Sequence, residues 1–229
     1  MISLEFKKKF WDKKILKWED EKYVKNGFLF DTNSSLKYRM NIARNILSKI
    51  GKDKVILEIG CGSGMLLDQI EKIGIKKYIG IDISKAAIDK AKLKASQLST
   101  INAHFINADI NEIEIQNVDI CFSIGLLDWI TIDEISSINE KISSKYFLHS
   151  FSEKKLSILQ VIHALFVFFK YGYKSNGYKP KYYRQHEILR CFYKDRNNIS
   201  FFRNSALSFG TIIFQLPLKL TEKFLEYEK

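Results

Sequence analysis

Residues 55–74 read VILEIGCGSGMLLDQIEKIG, and the fold turns on how that stretch divides. Val55 to Gly60 is a short apolar run closed by glycine, the pattern of a strand buried on both faces. Gly60, Gly62 and Gly64 then alternate with Cys61 and Ser63. Such a turn allows a tight bend and lets bare backbone approach a ligand. From Met65 the spacing changes: Met65, Leu66, Ile70 and Ile73 share one helical face, and Gly74 ends the helix.

The alternation continues outward. YIGIDIS (78–84) reads as a second strand, and SKAAIDKAKLKASQL (84–98) as a helix capped by Ser84. HFINADI (104–110) and VDICFSIG (118–125) are the third and fourth strands. YFLHSF (146–151) is the fifth, after a short helix near 132–142. Strands alternating with helices predict an α/β fold, a doubly wound and mostly parallel sheet with helices on both faces. Ligands of such sheets bind outside the carboxyl ends of the strands, at the switch point. Upstream, Phe6, Phe10, Trp11, Ile15, Leu16 and Trp18 stand among charges in residues 3–25, as in an amphipathic helix. After a polar break at Asp31–Ser35, Ser34 or Ser35 caps a second helix running through Leu47. Residues 1–50 thus form a helical cap ahead of a domain spanning 51–229.

The chain has 229 residues, 46% of them hydrophobic and 28% charged, which is the balance of a folded globular protein. Its 37 basic and 26 acidic residues leave 37 − 26 = +11. That charge admits nucleic acid, anionic lipid or acidic substrates as partners. The joint abundance of Ile, Asn and Lys offers a plainer origin, a compositional bias of the source. Cys61, Cys121 and Cys191 lie far apart without zinc-ligand or redox spacing, so no metal site and no disulfide framework is expected. A cytoplasmic, reducing setting follows as an expectation. The start, MISLEFKKKFWDKK, places charges where a secretion signal needs an apolar run. No segment reaches the ~20 apolar residues of a membrane span.

Three nucleotide readings compete for the glycine turn. A phosphate-gripping loop ends in Gly-Lys-Ser/Thr, yet Met65 and Leu66 follow Gly64. A dinucleotide turn wants its third glycine where Met65 stands, and no acid near the pyrophosphate, yet Glu58 precedes the turn. An acid there suits a ligand with a cationic end. S-adenosyl-L-methionine carries an ammonium and a sulfonium, and no phosphate. Asp82 closes the second strand, where a carboxylate accepts both ribose hydroxyls. Asn107-Ala108-Asp109 closes the third, placing an acid within reach of an adenine amino group.

The ExGxGxG turn, the acid of GIDIS, the NADI turn and VDICFSIGLLDW (118–129) resemble motifs I to IV of the class I S-adenosylmethionine-dependent methyltransferases. The resemblance covers about residues 50–150 in the expected order. It implies a seven-stranded sheet with a reversed last strand, for which HEILRCFYK, NISFFRN and LSFGTIIFQL (within 186–216) supply a helix and two strands. It also implies a cofactor set of Glu58, Gly60, Cys61, Gly62, Gly64, Asp82, Ile83, Asn107, Asp109 and Ser123. The motifs say little about the acceptor.

Methyl transfer asks mainly that the nucleophile be held close, aligned and desolvated, with a base for a hydroxyl of high pKa. The proline turn of DNA amino methylation, the Pro-Cys of cytosine chemistry and the paired glutamates of arginine methylation are all missing. Ser123-Ile124-Gly125-Leu126 fills the turn after strand four, and Asp128 stands alone. A small-molecule acceptor is favoured, with oxygen or nitrogen methylation of a metabolite, a saccharide or a lipid-linked intermediate in view. RNA methylation, or cofactor binding without chemistry, are the alternatives. His149, at the predicted end of strand five, is the candidate base; Asp128 can polarise a hydroxyl or cap the turn before Trp129. Residues 156–169 are apolar almost all round and flanked by lysines, within an insertion at about 152–184. A lid, an anionic-membrane contact, and core or oligomer packing remain open for that run. Trp129, Tyr182, Tyr183 and Arg184 are candidate substrate contacts, aromatic and basic groups able to stack or bind phosphate.

Overall fold

The computed structural model describes residues 2–20, 32–155, 157–172, 175–192 and 198–226. Seven strands make one sheet: β1 (Val55–Ile59), β2 (Lys77–Asp82), β3 (Ala103–Asn107), β4 (Ile115–Ser123), β5 (Ile142–Ser152), β6 (Ser200–Phe202) and β7 (Gly210–Gln215). Their spatial order is β3-β2-β1-β4-β5-β7-β6. The first five pair in parallel, and β7 runs antiparallel to both β5 and β6. This is the doubly wound sheet expected, with the reversed strand inserted between β5 and the edge. The order reverses at β1, between β2 and β4, so the switch point lies where the glycine turn leaves β1.

Eight α-helices are described: α1 (Leu4–Glu19), α2 (Thr32–Ile50), α3 (Leu67–Ile73), α4 (Lys85–Ala95), α5 (Ile132–Lys141), α6 (Ile158–Val167), α7 (Gln185–Phe192) and α8 (Leu218–Glu226). Alternate residues of each strand enter opposite cores, as a two-residue repeat demands. Ile56, Tyr78, Phe122, Leu148 and Phe214 meet Met40, Ala43 and Ile46 of α2, together with α3 and α4, on one face. Leu57, Ile81, Cys121, Phe147 and Ile213 meet α5 and α7 on the other. α2 is thus part of the sheet's own core, while α1 lies over the carboxyl ends of the strands.

Some boundaries differ from the sequence reading. α1 ends at Glu19, and positions 21–25 of the expected helix lie outside the described residues. Neither Ser34 nor Ser35 caps α2, which begins at Thr32 and runs to Ile50. Ser35 is buried inside the helix, where its hydroxyl finds a distant acceptor, Leu207 O at 2.5 Å. Ser84 does cap α4, accepting the Ala87 N–H at 3.2 Å. α8 was not foreseen.

Candidate active site

The turn after β1 places Gly60, Gly62 and Gly64 at φ of 71°, 53° and 73°, a left-handed conformation that favours glycine. At Gly62 space forbids a side chain as well, since a Cβ would lie 2.1 Å from Glu19 Oε1. The Gly60 and Cys61 N–H groups donate to Ile81 O at 2.8 and 3.0 Å, which fastens the turn to the end of β2.

Three carboxyls converge on this turn. Asp82 is buried; its Oδ2 accepts the Gly62 N–H at 2.9 Å and its Oδ1 accepts the Ser84 N–H at 2.8 Å. Burial pushes its pKa up to about 6, against the pull of those two bonds. Its oxygens have accepting capacity left, since a carboxylate offers about four lone-pair sites. Glu58 accepts the Tyr78 hydroxyl at 2.5 Å. Burial first, then the nearby Asp82 and Glu19, push it up to about 8. The third carboxyl, Glu19, comes from the end of α1. Its Oε1 accepts the Ser63 N–H at 2.8 Å, while its buried Oε2 has no hydrogen-bond partner among the described residues. Burial raises its pKa too.

Sequence reasoning missed Glu19, although a signal was present. Lys7, Trp11, Ile15 and Glu19 recur every fourth residue and so form one helical stripe. An acid closing a stripe that holds Trp11 and Ile15 is out of place on a buried face. That stripe roofs two adjoining cavities. The smaller is lined by Ile15, Glu19, Met40, Glu58 and the residues from Gly60 to Gly62. The larger is lined by Lys7, Trp11, Gly60, Asp82, Ile83, Asp109, Gly125 and Trp129, among others. Clustered acids with an unpartnered oxygen would repel a pyrophosphate and attract a cation. The residues therefore fit a ligand whose amino-acid end is cationic, as in S-adenosylmethionine.

The remaining cofactor candidates divide. Cys61 lines the smaller cavity, and Ile83 and Asp109 line the larger. Asp109 also caps the turn Ile110–Glu112, accepting the Asn111 N–H at 2.8 Å. Gly64 lines none of the cavities, with Leu67 Cδ1 2.4 Å from where its Cβ would be. Asn107 lines none of the three cavities described; its amide donates to Asp82 O and Ile83 O, both at 3.0 Å, and so holds the end of β2. Ser123 is fully buried, its hydroxyl 2.9 Å from His149 Nδ1.

A third cavity adjoins the larger one and is lined by Arg39, Gly125, Asp128, Trp129, Ser152, His163, Phe166 and Val167, among others. Asp128 is buried there. It accepts the Ser152 N–H, the Ser152 hydroxyl at 3.0 Å and Arg39 Nη1 at 3.4 Å. Burial raises its pKa, and the Arg39 charge works against that. Arg39 Nε is buried without a partner among the described residues. His163 Nδ1 lies 2.5 Å from the Tyr182 hydroxyl, whose pKa burial pushes up to about 12.

His149 is not where the sequence reading put it. It is 1% exposed, lines none of these cavities, and stacks between Phe147 and Phe192 at 5.6 and 5.2 Å. The cause is strand parity: Phe147, His149 and Phe151 share one face of β5, and the other face brings Ser152 to the cavity. Tyr183 is likewise core, its hydroxyl donating to Ile130 O. Arg184 is exposed at the start of α7, its N–H donating to Glu187 at 2.6 Å. Neither residue lines a described cavity.

Comparison with known proteins identifies the family. Residues 50–165, just over half of the chain, match the family model described as "Methyltransferase domain". The chain belongs to this family, and its fold is that of the class I S-adenosylmethionine-dependent methyltransferases, whose cofactor is S-adenosylmethionine. Magnesium protoporphyrin IX methyltransferase from Synechocystis PCC 6803, solved with bound SAH, superposes with a TM-score of 0.67 at 16% identity, over 93% of this chain and 98% of that one. A candidate protein N5-glutamine methyltransferase of Methanocaldococcus jannaschii is 39% identical over 27% of this chain and 30% of its own length. Protein arginine N-methyltransferase 1 of Saccharomyces cerevisiae is 39% identical over 30% of this chain. The chain spans 30% and 19% of these two curated relatives. No described helix is long and apolar enough to cross a membrane.

Proposed function

We propose that this chain transfers a methyl group from S-adenosylmethionine to an oxygen or nitrogen of a small-molecule acceptor held in the third cavity. The observation that supports it most is the shared wall: Gly125 and Trp129 line both the larger cavity and the third one. An acceptor in the third cavity thereby lies next to whatever occupies the cleft roofed by α1. When bound, S-adenosylmethionine supplies an electrophilic methyl carbon on a sulfonium. Glu58 and Glu19 hold the cationic end, and Asp82 takes the ribose hydroxyls. Asp128, fixed by Ser152 and Arg39, accepts the hydrogen bond of the acceptor's hydroxyl or amine and orients its lone pair. Trp129 excludes water from the junction.

Turnover of S-adenosylmethionine against a small-molecule fraction of the source cells, with an RNA fraction in parallel, tests this reading. Methyl transfer into the small-molecule fraction is expected. Asp128→Asn should lower it by about 10²-fold, the low end for proton-handling groups, with cofactor affinity unchanged by calorimetry. Methylation of the RNA fraction alone would overturn the acceptor assignment.

A further inference from the structure

Helix α6, capped by Ser157, presents two different faces. Gln160, His163, Ala164 and Val167 follow one helical stripe that turns inward, and His163 and Val167 line the acceptor cavity. The opposite stripe carries Ile158, Val161, Ile162, Leu165 and Phe166, and Phe169 extends it into the π-helical turn Phe168–Gly172 that follows. All six are exposed, by 41 to 81%. A helix on a water-facing surface places polar residues on that side. Of the ten exposed large hydrophobic side chains among the described residues, these six and Phe168 make seven, gathered within twelve positions. Such a concentration marks a contact surface.

Charge identifies the partner. From residue 154 to residue 186 the sequence holds seven Lys and Arg and no Asp or Glu. Lys154 and Lys155 are exposed just ahead of α6, and Lys179 Nζ lies 5.3 Å from the Phe168 ring centre. An apolar stripe edged by cations is the arrangement of a helix that lies in the plane of an anionic bilayer. Two copies of the chain joined through this stripe would bring like charges together. Phe166 belongs to both the exposed stripe and the acceptor cavity, so that cavity reaches the same face.

We propose that the outer stripe of α6 docks this protein on anionic lipid bilayers. The inference does not depend on which atom is methylated. It is tested by sedimenting the full chain with vesicles of phosphatidylcholine, alone or with a minority of phosphatidylglycerol. The wild type should bind the anionic vesicles about tenfold or more tightly, and less so at high salt. Val161→Glu with Leu165→Glu should lower that binding at least about tenfold, since it charges the stripe itself. Lys154→Glu with Lys155→Glu should cancel the preference for anionic lipid. Unchanged S-adenosylmethionine binding by calorimetry confirms that each variant is folded. Wild-type protein left in the supernatant with both vesicle types would overturn the proposal. So would a vesicle-independent dimer, seen by sedimentation velocity, that Val161→Glu with Leu165→Glu dissolves.

Discussion

Glu58 is buried against Tyr78, and its carboxyl ionises at about 8 where an ordinary glutamate does so at 4.5. Between those values the native state keeps a proton that the unfolded chain has already released. Stability therefore falls as pH rises from about 4.5 to 8. The thermal midpoint of the cofactor-free chain should decline across that interval, and Glu58→Gln should remove part of the decline while still accepting the Tyr78 hydroxyl. An identical slope in the variant would mean that Glu58 carries no such linkage. Glu19 meets the same cluster from α1 with one oxygen unpartnered among the described residues. Glu19→Ala should weaken S-adenosylmethionine binding by about 1.5–3 kcal/mol, the size of a hydrogen bond to a charged group. Tighter binding would show instead that the carboxylate competes for the Ser63 N–H. Glu58 and Asp82 stood out in the sequence because Asp82 ends β2 and Glu58 is next to last in β1, each beside its own turn. Glu19 was not, because it meets Ser63 across 44 positions, through the packing of α1. His149 misled for a smaller reason: β5 continues one residue past the predicted end, to Ser152, and parity chose the other face.

α1 is held over the cleft by rings. Trp11 and Trp129 meet at 4.8 Å, Phe10 and Tyr178 at 5.0 Å, Trp129 and Tyr171 at 5.4 Å, and the Trp11 indole donates to the Tyr178 hydroxyl at 3.0 Å. These contacts tie the first helix to the segment that follows α6. Trp11→Ala should free α1: its amides should exchange with deuterium faster, those of β1 and β4 should not, and the cofactor should dissociate faster. Equal protection of α1 in the variant would count against the ring cluster as its anchor. The elements themselves were readable where one texture filled them. VILEI is apolar except for Glu58, as a strand buried on both faces is. β5 begins four residues before the predicted start, because Ser143 and Lys145 are exposed along its first half and break the apolar run. Nor did local sequence reveal that α2 belongs to the sheet's core, since that depends on contacts with Ile56, Phe122 and Phe214.

For the molecule as a whole, a charge of +11 points toward polyanions, yet the fold sorts the charges. Glu19, Glu58, Asp82, Asp109 and Asp128 are all buried around the cavities, while Lys154 and Lys155 face outward beside α6. The interior field favours a cation, and the outer edge of α6 favours anions. Composition could report the sum and not this partition.

The indole of Trp129 is a party wall between two chambers. Under the proposed function, a guest that shifts this wall from one side shifts it for the guest on the other. Reciprocity then requires that each guest alter the other's affinity by the same factor, whichever of them arrives first.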